Sequence, residues 1–297
     1  MIYSLLFLLL TYSILTHSDV SLYYAFYGFS LWYSKMIPAL LPFMILSGIM
    51  VRMNLTENFS KLLHPIITFF FKCSKNVTYA IILGFLCGFP MGAKVTAELY
   101  ESKKIDIQEA DFLLCFVNNI GPVYFCSFAL PLLGIQNPSL YLPGMYGIPL
   151  LYGFLLRHTL YAHKFSPHKS REVLTSPQAS GLFVAMEQSI YTSVQSILML
   201  CGYMILFNLL NILPHFFFPG IHPYLAPFLE ISGGLSMLNG ELVLYSLSML
   251  VFGGLSCIAQ TYSMISSTPL SIRKYILHKC ILTIICCIYF AIIRFYF

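Results

Sequence analysis

Charged side chains are scarce in this chain. Asp, Glu, Lys and Arg together make up 9% of its 297 residues, against about a quarter in a soluble domain. So few charges cannot cover the surface of a water-soluble fold of this length, which excludes that class. There is no collagen-like glycine period, no disordered polar tract and no long block of like charge. The common catalytic patterns are missing too. The sequence has no H-E-x-x-H, no phosphate-binding Gly-rich loop ending in Lys-Ser or Lys-Thr, and no C-x-x-C pair among its nine cysteines. Ser256 is not the centre of a G-x-S-x-G elbow, because Ile258 stands at the last position. No histidines have metal-ligand spacing within one helix. No enzyme activity, metal or cofactor is therefore expected.

What is present is apolar. Hydrophobic residues make up 58% of the chain, and the mean hydropathy is +0.80. A helix that crosses a bilayer needs about 20 such residues. Clear runs lie at 36–53, 112–134, 140–160, 194–213 and 276–296, and runs with glycine-rich centres at 77–101 and 242–267. Shorter proline-bearing runs at 58–72 and 216–232 read as re-entrant or tilted. The fold class is thus all-α, a polytopic membrane protein of about eight spans in contact with the lipid bilayer. Met1–Thr16 lacks the basic start and small-residue cleavage site of a signal peptide, so it reads as a retained apolar segment. The aromatic stretch Ser21–Ser34 reads as a helix at the headgroup level. The net charge of +5 comes from basic residues near the ends of apolar runs. That is the membrane pattern, not the gathered patch of a nucleic-acid surface.

The chain reads as one membrane domain, 1–297, divided by a basic hydrophilic connection. This connection, 161–180, carries Lys164, Lys169 and Arg171 and is placed in the cytoplasm. The flanking segments, 36–160 and 181–297, look alike. Leu63–Ile67 aligns with Leu225–Leu229, and Gly88–Lys94 with Gly254–Gln260. Paired halves with interrupted apolar segments are a feature of secondary transporters.

The candidate binding residues follow from these interruptions. In Gly88-Phe89-Pro90-Met91-Gly92-Ala93-Lys94, Pro90 cannot continue a helix cleanly, and Gly88 and Gly92 permit turns. Two half-helices would meet inside the membrane, the second starting near Gly92 or Ala93. Its N–H groups and Lys94 would favour an anion. Glu98 lies one turn on, and a self-neutralising Lys94–Glu98 pair or a solvated helix end are the other readings. Asn118-Asn119-Ile120-Gly121-Pro122 breaks another run, as a lined interruption or a surface loop. Gly254 and Ser256, with Gln260, mark the break in the second half. Glu230, beside Ser232, is the one acidic residue in its apolar neighbourhood; it can pair with Lys94, hold a cation or proton, or cap a helix.

At Gly88–Lys94, Phe228–Ser232 and Phe252–Ser256 with Ala259-Gln260, the sequence resembles the YlbJ family of sporulation integral membrane proteins, also called stage V sporulation protein VV. The resemblance spans roughly 36–297. It extends to the wider nucleoside-recognition or Gate-domain group, related to concentrative nucleoside transporters. It implies two transporter-like repeats, a role in endospore formation, and dipicolinic acid as cargo across the outer forespore membrane. Ile258 departs from the family, where a histidine is often found. The function expected is transport of a small organic anion. A nucleoside carrier and a non-transporting sporulation scaffold are the alternatives.

Overall fold

The computed structural model describes residues 2–162, 164–165 and 181–296, and all regular structure among them is helical. The 161–180 connection lies almost wholly outside the described residues. α1 is Ile2–Thr16. α2, Ser18–Arg52, is a 35-residue helix with one wide turn at Trp32–Met36. Short helices α3 (Thr56–Ser60) and α4 (His64–Phe71) precede α5 (Lys75–Cys87) and α6 (Met91–Glu101). Then come α7 (Ile107–Leu114), α8 (Pro122–Leu132) and α9 (Pro138–His158). The second half holds α10 (Leu182–Phe217), α11 (His222–Leu229) and α12 (Ile231–Leu238). It closes with α13 (Val243–Phe252), α14 (Gly254–Ile265) and α15 (Ile272–Tyr296).

Among the described residues five stretches are long and apolar enough to cross a bilayer: α2, α9, α10, α13 with α14, and α15. The pair α4 and α5 makes a sixth candidate only if joined through a bend of 101°. The sequence shows more apolar runs than this, because some of them double back. Gly84 on α5 and Gly92 on α6 touch: a Cβ on Gly84 would stand 3.3 Å from Gly92 Cα. On one straight helix, eight residues would separate them by about 12 Å. α5 and α6 are therefore antiparallel arms of a hairpin whose turn is Gly88-Phe89-Pro90. α11 and α12 form a second hairpin with its turn at Glu230. Here a Cβ on Gly234 would stand 2.0 Å from Pro227 N.

The two hairpins enter from opposite ends of the molecule. Side-chain contacts tie the ends of α2, α4, α6 and α9 together with the starts of α5, α7, α10 and α15. Lys104 bonds to Val51 O, Arg157 Nε to Phe71 O at 2.8 Å, Lys274 to Asp111 at 2.5 Å, and Arg52 Nη1 to Ser189 Oγ at 3.1 Å. Both feet of the α5–α6 hairpin stand at this end. The other end joins His17 to Phe216, Tyr24 to His215 and His222, and Tyr289 OH to Leu140 O. Both feet of the α11–α12 hairpin stand there. Each half thus runs through a long helix, a hairpin, an interrupted crossing and a further helix. In this order the Gly88–Pro90 turn corresponds to Glu230, and the unwound stretch 115–121 to Gly253-Gly254. Aligning Gly88–Lys94 with Gly254–Gln260, as the glycine pattern does, pairs a hairpin turn with an interrupted crossing.

Burial follows the same plan. Every residue of α5 from Asn76 to Gly84, and of α6 from Met91 to Ala97, is buried. Burial on nearly every side, by neighbouring protein, is what lets a chain reversal exist at membrane depth. The outer helices are two-faced. α15 buries Tyr275, Lys279, Leu282, Cys286 and Phe290 and exposes Ile284, Ile288 and Ile292. Ser21–Ser34 is not a separate headgroup helix. It is the first part of α2, where Tyr24, Leu31 and Trp32 are buried and Trp32 Nε1 donates to Ile197 O at 2.8 Å. Packing on α10 sets its place.

The close contact in the second hairpin gives a test. Gly234→Val is expected to abolish a monodisperse folded species in detergent, since the branched side chain has to enter the backbone of α11. Gly202→Ala on α10, where a Cβ meets nothing within 4 Å, is expected to leave the elution profile unchanged. Fluorescence-detected size exclusion measures both.

Candidate functional site

Both hairpin turns and both interruptions border one cavity of about 360 Å³. Cys87 and Phe89 come from the first turn, and Glu230, Ile231 and Ser232 from the second. Ile120, Gly121 and Tyr124 come from the α7–α8 break, and Cys257 and Gln260 from the first turns of α14. α2 closes one side with Leu40 and Phe43, and Lys35 stands on its exposed stretch. The lining is mostly apolar, with a few polar groups that can orient a solute. This is the usual make-up of a small-molecule site.

The polar groups are held by defined partners. Glu230 is the N-cap of α12: Oε1 accepts from Ser232 N at 3.2 Å and Oε2 from Gly233 N at 2.7 Å. Asn208 Nδ2 donates to the same carboxylate at 3.3 Å. A carboxylate beside the positive end of a helix is stabilised there. The capping reading of Glu230 is thus the observed one, but the residue is 2% exposed and far from a surface cap. Tyr124 OH donates to Ser232 Oγ at 3.0 Å, and Gln260 Nε2 to Ser256 Oγ at 3.0 Å. Gly254 has φ of 75°, next to Gly253 at 88°, and this left-handed pair sets the break between α13 and α14.

The start of α6 differs from the sequence expectation. Three of its first four amides are engaged internally: Met91 N bonds to Gly88 O, Lys94 N to Pro90 O, and Ala93 N to Asn118 Oδ1 at 3.3 Å. Asn118 also donates to Thr261 Oγ1 at 2.8 Å and to Tyr275 OH at 3.2 Å. The asparagine thus stitches the first hairpin to α14 and α15. Gly92 lies against the backbone of Val117 and Asn118, with no room for a side chain.

Lys94 and Glu98 do not reach the central cavity. They line a second one of about 300 Å³ with Arg52, Glu101, Ser196 and Ser263. There Lys94 Nζ stands 3.2 Å from Glu98 Oε1 and donates to Ser196 Oγ at 3.1 Å. A direct pairing of Lys94 with Glu230 is not formed. The two cavities are displaced along the same helices. α14 gives Cys257 and Gln260 to the first, then Ser263 and Met264 to the second; α10 gives Met204 and then Met199. The second cavity is the one nearer the Arg52 and Glu101 end.

Sequence reasoning passed over Lys279. It is 2% exposed on α15 and donates to Asn119 Oδ1 and Val251 O, both at 3.2 Å. Its ammonium stands 4.7 Å from the centre of the Phe89 ring. A signal for it existed: Tyr275, Lys279, Leu282 and Cys286 share one face at helical spacing. Among the described residues no group of His, Cys, Asp and Glu is placed to hold a metal ion.

The sequence is 28% identical over 225 residues to the sporulation integral membrane protein YlbJ of Bacillus subtilis (strain 168). The chain is thus similar to a member of the YlbJ family. The match covers 69% of the chain and 54% of YlbJ, so the chain spans about half the length of this curated relative. No family model matches the chain, and no solved structure does. With its apolar helices, the likeness establishes an integral membrane protein.

The Lys94–Glu98 pair predicts a coupling. Lys94→Met and Glu98→Gln are each expected to destabilise the folded protein by about 3 kcal/mol, since each leaves a largely buried partner uncompensated. The double variant is expected to lose clearly less than the sum. Thermal unfolding in detergent of all four proteins measures this cycle.

Proposed function

We propose that this YlbJ relative is a membrane carrier for a small organic anion, with dipicolinate as its cargo. The observation that supports it is the convergence of two hairpin turns and two interrupted helices on one cavity inside a membrane protein. Interrupted helices facing a solute site near mid-membrane are the working parts of secondary transporters. On this reading the halves 36–160 and 181–297 are inverted repeats, as the opposite entry of the hairpins suits. They would ally the chain with the Gate-domain group and concentrative nucleoside transporters. The name of YlbJ supports a role in sporulation, and the cargo supports a place in the outer forespore membrane.

The residues divide the task. Phe89, Tyr124 and Phe43 suit a planar ring, and Gln260 and Ser232 can hydrogen-bond it. Arg52 and Lys94, in the second cavity, give an anion a positive station towards one end. That end carries Lys61, Lys72, Lys75, Lys103, Lys104, Arg273 and Lys274, whereas the other carries Arg294 alone among the described Lys and Arg residues. The positive-inside rule assigns the basic end to the cytoplasm. Lys94 would exchange Glu98 for the solute as it passes, and the two states differ in affinity through that exchange.

The hydrogen-bonding side chains of the central cavity, Ser232 and Gln260, favour a second reading, a nucleoside carrier. Uptake of dipicolinate and of uridine into proteoliposomes separates the two. Dipicolinate uptake is expected, falling at least about tenfold in Gln260→Leu, a loss of about 1.4 kcal/mol of solute binding. Lys94→Ala is expected to lower uptake chiefly at low solute concentration. Uridine uptake insensitive to Lys94→Ala would favour the nucleoside reading. Uptake of neither solute by correctly inserted protein would favour a scaffold.

A further inference from the structure

Lys279 is a buried cation that the carrier scheme does not use. No carboxylate lies within ion-pair distance of it among the described residues. Its surroundings are nevertheless those of a cation site. Asn119 Nδ2 donates to Phe116 O at 2.6 Å, which turns Oδ1 towards the ammonium at 3.2 Å. Val251 O, also at 3.2 Å, belongs to the last turn of α13. Carbonyls of a last turn lack partners within their helix and form its negative end. The Phe89 ring, with its centre at 4.7 Å, offers a negative π-face. An amide oxygen, a half-helix carbonyl and an aromatic face are ligands for a free monovalent cation, and in carriers the carbonyls of interrupted helices serve that purpose. Here the three ligands come from three separate interruptions: the unwound stretch 115–121, the break after α13 and the turn of the first hairpin. An uncharged side chain in the same place would leave their negative ends facing one another.

We propose that the Lys279 ammonium is a tethered ion. From within the chain it fills a site for a free monovalent cation where the two halves meet, so the protein joins its interrupted segments without bound sodium or potassium. The site stands on geometry alone; only its consequence for transport, independence of a sodium gradient, rests on the carrier reading.

Removing the tether should open the site. Lys279→Ala keeps Cβ and deletes three methylenes and the ammonium, the outline of n-propylammonium. The wild type, Lys279→Ala and Lys279→Met are purified in detergent with n-propylammonium present. They are then melted in sodium, potassium, n-propylammonium or the bulky cation choline, at equal ionic strength. The wild type is expected to melt at one temperature in all four. Lys279→Ala is expected to melt lower in choline and to regain about 3 °C or more in n-propylammonium or a small metal cation, as a ligand of the folded state does. Lys279→Met, which fills the space without charge, is expected to stay low in choline. The proposal is overturned if Lys279→Met matches the wild type in choline, or if Lys279→Ala melts alike in every salt. It is equally overturned if neither variant can be recovered folded with n-propylammonium present, because the charge then fails to replace the side chain. None of these readings involves transport, so they stand apart from any failure of the carrier assay.

Discussion

Backbone amides and carbonyls that leave a helix at membrane depth have no water to bond with, and each one left open costs several kcal/mol. Among the described residues this chain leaves helical geometry four times in its interior: at Gly88–Pro90, at 115–121, at Glu230 and at Gly253-Gly254. The rest of the architecture answers that constraint. The interruptions are gathered in one place, and buried polar side chains, some from distant segments, close them. Asn118 takes an amide of the first hairpin and reaches α14 and α15. Glu230 takes two amides of the second. Lys279 takes a carbonyl of α13 and the side chain of Asn119.

The cavity is a product of the same gathering. Four irregular segments cannot pack as closely as four continuous helices, and the space between them is lined by whatever those segments present. Here that is an apolar and aromatic wall with a serine, a glutamine and a capped carboxylate. The long helices α2 and α10 frame it, since they touch along much of their length and supply Leu40, Phe43 and Met204 to one side. Charge is kept where partners exist: Lys94 with Glu98, Glu230 with helix amides, Lys279 with oxygens and a ring.

Much of this was legible in the sequence, and for clear reasons. Scarce charge and long apolar runs establish the membrane class, and the Gly-Pro and Gly-Gly clusters mark three of the four interruptions, because those residues cannot continue a helix. Glu230 stood out as an acid in an apolar stretch. The hairpins were harder to see, since hydropathy gives the length of a run but not whether it crosses or returns. The first amides of α6 were assigned to a solute because the partner of the Ala93 amide, Asn118, lies 25 residues on and no local pattern links the two. Lys279 was passed over since a lysine near the end of an apolar run reads as one that snorkels to the interface. Only its place in the buried stripe with Tyr275 and Leu282 reveals otherwise.

The partners of Asn118 also bear on how the protein is made. Thr261 and Tyr275 lie 143 and 157 residues further along the chain, so a ribosome finishes α9, the basic connection and α10 before either exists. Until then the stretch 115–121 has no closure from the second half, and the first hairpin rests on unfinished ground. Biogenesis of the first half is therefore completed only once α14 and α15 have left the ribosome, and a chain stopped before α14 carries an open seam into the bilayer.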